Sequence, residues 1–212
     1  MSNNKPKFIV IEGVDGAGKT TQINKLRENL TALGHKIYMT SEPTCKAAHH
    51  APTAVGSIIG DVLLGRIEMT PSGMAALFLA DRILHNTDKK IGIKAALERG
   101  EWVICDRYYY SSFAYQGKDT DVDWVIRQNL DCPDIMRPDI CIFLDLSPDI
   151  ARSRRDERAT AQEIFERPEV KQSSIRDTFL SVFDRLDDNV KLINADGTID
   201  EVAERILKAV SE

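Results

Sequence analysis

A lysine and a threonine at the end of a glycine-rich run are the first residues whose spacing suggests chemistry. Gly13-Val14-Asp15-Gly16-Ala17-Gly18-Lys19-Thr20 has the form Gly-x-x-x-x-Gly-Lys-Thr. The glycines let the backbone wrap so that successive N–H groups point inward. A helix opening at Lys19 would add the positive potential of its N-terminus. Such a loop cradles phosphates. Lys19 would reach the β- and γ-phosphates of a nucleoside triphosphate, and the Thr20 hydroxyl would bind magnesium. Thr21 extends the phosphate-binding run. The bland alternative is a glycine-rich turn with no ligand. It does not require an apolar strand in front and a helix behind, yet the sequence supplies both.

The loop does not decide what accepts the phosphoryl group. A GTPase would normally carry an Asn-Lys-x-Asp-type base-reading motif, and none is present. A motor would need far more chain. A small kinase fits the length.

The elements that must position this loop are readable from apolar runs. Phe8–Glu12, Lys36–Thr40, Trp102–Asp106 and Ile140–Asp145 are short and β-rich, with a weaker fifth run at Val190–Asn194. Several are apolar at consecutive positions, as strands buried on both faces of a parallel sheet are. Helical stretches separate them, which predicts an α/β fold of the P-loop NTPase type, three layers with a five-stranded parallel sheet. Lys19–Leu33 places Ile23, Leu26, Leu30 and Leu33 on one face and stops at Gly34. Ser72–Arg99 reads as a long helix that bends or breaks near Asp88–Gly92. Ser147-Pro148 is an N-cap followed by proline, and Thr198-Ile-Asp-Glu201 is a capping box.

With 212 residues, the chain fits one domain spanning 1–212 and can bury a core without staples. A net charge of −5 gives no basic field for nucleic acid or membrane. A small anionic substrate needs only a local cationic cluster. The four cysteines, at 45, 105, 132 and 141, lack metal-ligand spacing, and no secretory signal is visible. Cys105 and Cys141 read as buried reduced thiols, and His49-His50 as a solvated loop. No apolar run approaches the ~20 residues of a membrane span, so a cytoplasmic location is the default expectation. Residues 1–7 read as a disordered polar start.

Beyond the loop the sequence resembles the thymidylate kinases, in order and spacing, from Ile9 to about Ala209. Ile11-Glu-Gly-Val-Asp-Gly-Ala-Gly-Lys-Thr-Thr21 is similar to that family's phosphate loop, Asp15 included. Ser41-Glu-Pro-Thr44 is similar to its second-strand motif. Leu77-Phe-Leu-Ala-Asp-Arg82 with His85 resembles its base-binding helix. The most specific piece is Asp106-Arg-Tyr-Tyr-Tyr-Ser-Ser-Phe-Ala-Tyr-Gln-Gly117. Glu163-Ile-Phe-Glu166 sits where related sequences have their lid, here about 152–167.

The chemistry of these residues suits a nucleoside monophosphate. Phe78 and Arg82 are four apart and share a helix face. Phe78 can stack on a pyrimidine and Arg82 can donate to a carbonyl at its edge, as the resemblance also implies. The competing reading of Phe78 is a core residue. Asp106 ends a strand at the edge where ligands gather, and can hold magnesium. Its competing reading is a strand-end ion pair with Lys19 or another base. Arg107 would clamp the acceptor phosphate as a planar fork. Asp15 would accept from the sugar 3′-hydroxyl. Tyr115 and Gln116 would line the sugar and base pocket, with Ser111 and Ser112 near the base edge. Glu12 has a structural or metal-side role. Position 16 is Gly, so the arginine that some members carry in the loop is expected from the lid, as Arg154, Arg155 or Arg158. The competing reading of that charged run is a solvated helix face.

One departure stands out. Related sequences carry a basic residue near a Val-Gly-x-x-Ile stretch to hold the acceptor phosphate. Here Val55-Gly-Ser-Ile-Ile-Gly60 has none, and Lys46 and Arg66 are the nearest candidates. The expected activity is transfer of the γ-phosphate of ATP to dTMP with Mg²⁺. The rivals are a kinase for another nucleoside monophosphate or a deoxynucleoside, and a nucleotide-binding module without turnover. The resemblance implies a homodimer, and the 72–99 helix could present its surface.

Overall fold

The computed structural model describes residues 5–47, 50–156 and 172–212. Five strands form one parallel sheet: β1 Phe8–Gly13, β2 Ile37–Ser41, β3 Trp102–Asp106, β4 Ile140–Asp145 and β5 Val190–Asn194. Their order is β2-β3-β1-β4-β5. All six residues of β1 are buried, as are the first five of β4, which explains their uninterrupted apolar sequence. In register, Ile11 lies beside Asp106 on one side, and Gly13 beside Leu144 on the other. The chain builds β2 and β3 on one side of β1, then crosses to β4. The crevice at the carboxyl end of β1 is therefore a topological switch point, where open α/β sheets bind ligands.

Nine helices cover the sheet among the described residues: α1 Lys19–Ala32, α2 Ala54–Leu63, α3 Pro71–Thr87, α4 Ile93–Glu98, α5 Tyr109–Asp119, α6 Val122–Leu130, α7 Pro148–Asp156, α8 Gln172–Phe183 and α9 Ile199–Ser211. A single 3-10 turn spans Thr44–Lys46. The predicted long helix breaks where expected. Asp88 accepts from the N–H groups of Lys90 and Ile91, and this turn separates α3 from α4. The capping box forms, with Thr198 Oγ1 accepting from Glu201 N and Glu201 Oε2 accepting from Thr198 N.

Three expectations need correction. Leu33 does not join the buried face of α1: it is 62% exposed, because the helix has already ended at Ala32, and Gly34 takes the left-handed cap. Residues 5–7 are ordered into the fold, since Lys7 donates to the Val210 carbonyl at 2.7 Å. His50 is not simply solvated: it hydrogen-bonds Thr40 Oγ1 at 2.8 Å and stacks parallel to Tyr38. His49 lies outside the described residues. Cys105 and Cys141 are buried and all four cysteines are free, as expected. Among the described residues no helix is long and apolar enough to cross a membrane.

Candidate active site

The loop between β1 and α1 has a shape that only its glycines permit. Gly16 and Gly18 adopt φ of 89° and 91°. At Gly13 an added Cβ would press to 3.1 Å from the Leu144 carbonyl and 3.3 Å from Ala17 Cβ. Gly18 is the N-cap of α1 and offers no side chain to its first-turn N–H groups. Those donors are left for an anion. Val14 and Ala17 are buried, which fixes the loop to the sheet edge.

Lys19 is folded back over this loop. Its Nζ donates to the carbonyls of Gly13 at 3.1 Å and Val14 at 3.3 Å, and lies 3.7 Å from Asp15. Burial lowers its pKa from the ordinary lysine value, and the neighbouring Arg107 lowers it further. Asp15, Asp106 and Glu12 oppose the shift. A triphosphate would supply the compensating negative charge.

Arg107 is the one non-glycine residue with positive φ among the described residues, at 67°. A side chain in that region carries backbone strain, and such strain clusters at functional sites. Here it turns the chain out of β3 into α5. The guanidinium then donates to Asp15 and, at 3.0 Å, to Ser111 Oγ, and sits 5.4 Å over the Tyr115 ring. Burial works against its charge, but Tyr115, Asp15, Glu12 and Asp106 outweigh that and raise its pKa.

Glu12 is fully buried behind this pair. It accepts from the N–H groups of Tyr108 and Ser111 and from the Ser111 hydroxyl, so it clamps the start of α5 to β1. Burial raises its pKa, only partly opposed by Arg107 and these donors. Of its two expected roles, the contacts are those of the structural one.

Asp106 ends β3 with Oδ1 buried and without a hydrogen-bond partner among the described residues. An orphaned carboxylate oxygen costs about 1–3 kcal/mol. It faces the region of Lys19, whose charge it stabilises. The exposed Thr20 opens α1 alongside Lys19. A carboxylate and a hydroxyl at a phosphate loop are the hard oxygen donors that magnesium takes when phosphates and water fill its remaining positions. These residues therefore fit that ion.

On the acceptor side, Phe78 is partly exposed on α3 and stands outside the hydrophobic core. That removes its competing reading as a core residue. Arg82, one turn on, is 1% exposed. Its Nε donates to Glu42 at 2.7 Å, Nη1 to Asn129 at 2.5 Å and Nη2 to Ser112 at 3.1 Å. Tyr115 has its hydroxyl buried and unpartnered among the described residues. Gln116 is half-buried on the same helix.

Arg154 is the one lid arginine of the three whose side chain is described. It donates to the Ala195 carbonyl at 3.3 Å. It lines a cavity of about 260 Å³ together with Ala17, Gly18, Thr21, Gln22 and the turn from Ala195 to Ile199. The side chain of Arg155, and Arg158 with Glu163–Glu166, lie outside the described residues. In the departure noted above, Gly56 and Gly60 bring α2 close to the 3-10 turn. A Cβ on Gly56 would collide with Thr44 Oγ1 at 2.1 Å. Arg66 is exposed and paired with Asp61.

Sequence reasoning left several site residues without roles. Glu42 lay in a quoted motif, but nothing local said that it would meet Arg82, 40 positions away. Asn129 carried no motif at all. The turn Ala195–Thr198 follows β5 at the carboxyl edge of the sheet, and that position was the available signal.

The chain is similar to known proteins over nearly its whole length. A family model described as thymidylate kinase matches residues 11–206. The chain is 35% identical to a probable thymidylate kinase of Pyrococcus horikoshii, over 96% of this chain and 95% of that one. It is 33% identical to a thymidylate kinase of Exiguobacterium sp., over 94% and 92%. It is also 33% identical to a thymidylate kinase of Bifidobacterium longum, over 97% of each. With the match running from the phosphate loop through the acceptor helix to the last helix, the chain belongs to the thymidylate kinase family.

Proposed function

We propose that the protein transfers the γ-phosphate of ATP to dTMP, giving ADP and dTDP, as one catalytic domain. The observation that carries this reading is the pairing of Arg107 with Asp15. It joins the phosphate loop to the acceptor helix α5 at the place where two phosphates would meet.

The donor triphosphate lies along residues 13–21, with its nucleoside in the cavity between Gln22, Arg154 and the 195–199 turn. Lys19 leaves the loop carbonyls and takes the β- and γ-oxygens. On the acceptor side Arg107 holds the dTMP phosphate, which ionises with a second pKa near about 6. It is already a nucleophile at neutral pH, so no strong general base is needed. Its oxygen attacks the γ-phosphorus in line, the bond to the β-phosphate oxygen breaks, and ADP leaves. The protein's work is to position the groups and neutralise charge. Thr20 and Asp106 would hold magnesium, which would supply further charge neutralisation to the triphosphate. Arg154, Arg155 and Arg158 of the lid close over the triphosphate and add positive charge there.

Phe78 provides the face on which thymine stacks. Arg82 and Ser112 read its edge, and Tyr115 and Gln116 line the sugar. Asp15 accepts from the 3′-hydroxyl as well as orienting Arg107. The exposed apolar side chains Ile58, Leu64, Ile67, Met69 and Leu84 on and between α2 and α3 are a surface that a second copy would cover, giving a homodimer. The partners are small nucleotides, with no nucleic acid or membrane, and the setting is cytoplasmic. A coupled ADP assay across the common nucleoside monophosphates and nucleosides tests the reading. Turnover with dTMP should exceed all others. ADP release that ignores dTMP would overturn it.

A further inference from the structure

Behind Arg82 runs a chain of side chains that the reaction above does not use. Glu42 binds Arg82 Nε through Oε2 and His85 Nδ1 through Oε1, at 2.7 and 2.9 Å. The other nitrogen of His85, Nε2, lies 2.6 Å from Thr40 Oγ1. The same hydroxyl lies 2.8 Å from His50 Nε2, and His50 Nδ1 lies 2.8 Å from the Ala51 carbonyl. Glu42, Thr40 and His85 are buried, while the last contact is at the surface.

Both ends of this chain only accept hydrogen bonds: a carboxylate at one end and a carbonyl at the other. Four hydrogen bonds lie between them, and each needs one proton. A neutral His50, the Thr40 hydroxyl and a neutral His85 supply three. We propose that the chain holds a fourth proton, shared between His50 and His85 through the Thr40 hydroxyl, and that Glu42 and His85, whose own contact persists whichever histidine carries it, are positioning residues for Arg82. The positioning role rests on the reading of Arg82 as the base-edge donor.

Two arrangements satisfy the count. With the proton on His85, its Nε2–H donates to Thr40 and Thr40 donates to His50. With the proton on His50, the direction reverses and Thr40 donates to His85. In both, His85 Nδ1–H stays on Glu42. Glu42 keeps both oxygens occupied, and the guanidinium cannot rotate its Nη atoms away from Asn129 and Ser112. When the proton leaves, one bond is lost. The least costly one is His50 to Ala51, at the exposed end, where water replaces it. Arg82 is thereby insulated from the loss.

Among the described residues, the other charged or titratable groups facing the chain are these. The Tyr38 ring stacks on His50, and the Arg99 guanidinium lies 5.8 Å from the centroid of the same ring. Asp88 follows α3 on the same side, its carboxyl held below the usual range mainly by the N–H groups of Ile91 and Lys90. Cys105 lies opposite Thr40 in the sheet, and the Tyr108 ring lies against Arg82.

The test begins with nitrogen-15 correlation spectra of the histidine rings in the free enzyme near neutral pH. Three of the four ring nitrogens of His50 and His85, summed over any exchange, should carry protons. A sum of two overturns the shared proton. Thr40→Val cuts the chain without touching a histidine, and the sum should fall to two. A sum of three in that variant also overturns it. Kinetics then test positioning. His85→Leu should raise the KM for dTMP about tenfold, the lower part of the range for one unpaired buried polar group. kcat and the KM for ATP should stay unchanged. His85→Asn, whose amide nitrogen can take the place of Nδ1, should restore most of the loss. Equal impairment of both variants overturns positioning. If the KM for dTMP ignores both His85→Leu and Arg82→Ala, the reading of Arg82 itself fails. If it ignores only His85→Leu, positioning alone fails.

Discussion

On the phosphate side of the site the main chain does the shaping. Three glycines and the strained backbone of Arg107 set the curvature, and the side chains assigned to the phosphates, Lys19, Asp15 and Arg107, lean on one another. On the base side the backbone is helix except at Glu42, which follows β2 and precedes a cis bond to Pro43, and the shaping is done by side chains that converge from four places. Glu42 follows β2, Arg82 and His85 come from α3, Ser112 from α5 and Asn129 from α6. The first arrangement is poised to exchange partners when phosphate arrives. The second is already satisfied and buried. On the proposed roles, the difference teaches that binding phosphate and reading a base place opposite demands on stability: one region keeps its charges available, the other locks a charge in place.

Breaking each region should therefore leave opposite signatures. The largest effect is on stability, from Arg82→Ala. It strips a buried carboxylate of its main partner, at about 3–5 kcal/mol. Urea unfolding should show the midpoint falling steeply, and thymidylate turnover should fall more than turnover of other monophosphates. A stable variant would mean that the cage is not built as the contacts imply.

Next comes Lys19→Ala. The rate should drop about 10²–10³-fold, as when one donor to a developing charge is removed, while the unfolding midpoint holds or rises. A variant that retains more than half the rate would sink the assignment of the loop.

Arg107→Ala should follow, at about 1.5–3 kcal/mol for hydrogen bonds to a charged group. Because its contact ignores the base, kcat/KM for dTMP, dUMP and dCMP should fall together. Unequal losses would place Arg107 on the base side and erase the division drawn above. Wild type should prefer dTMP to dUMP only about fivefold, since one methyl contributes about 1 kcal/mol of burial.

The smallest effect is a proton. Lys19 has its pKa lowered in the free fold by burial. At alkaline pH the folded protein then binds fewer protons than the unfolded chain, so this group's contribution to stability rises with pH across the window between the lowered value and the ordinary one. Anionic triphosphate restores the charge, so nucleotide binding in that window should take up protons. Calorimetry in buffers of different ionisation enthalpy reads the uptake, and Lys19→Ala should abolish it. Proton release instead would reverse the sign of the shift.

The legible parts of this protein were those fixed by neighbours along the chain. Five apolar runs became five strands within a residue or so. The capping box at Thr198–Glu201, the break at Asp88 and the left-handed Gly34 all formed where the residues required them. Helix α2 was missed because Val55-Gly-Ser-Ile-Ile-Gly60 carries two glycines, a poor helix signal. In the fold those glycines permit contact with Thr44 and Cys45. Phe78 and Arg82 were seen as neighbours on a helix face, but spacing could not show that one is accessible and the other enclosed.

By itself, then, the sequence determined the phosphate loop, the strand that carries it and the helix that follows, because a loop of this kind is made of backbone and its instructions are contiguous. It also determined which residue types stood ready on the acceptor side. Tertiary structure decided their partners. Asp15 meets Arg107 across 92 positions, and Arg82 meets Asn129 across 47, through a sheet order that local propensity does not encode. The physical reason is range. Dihedral preference and capping act over a few residues, whereas the pairing of buried charges is settled only when strands dock and water leaves.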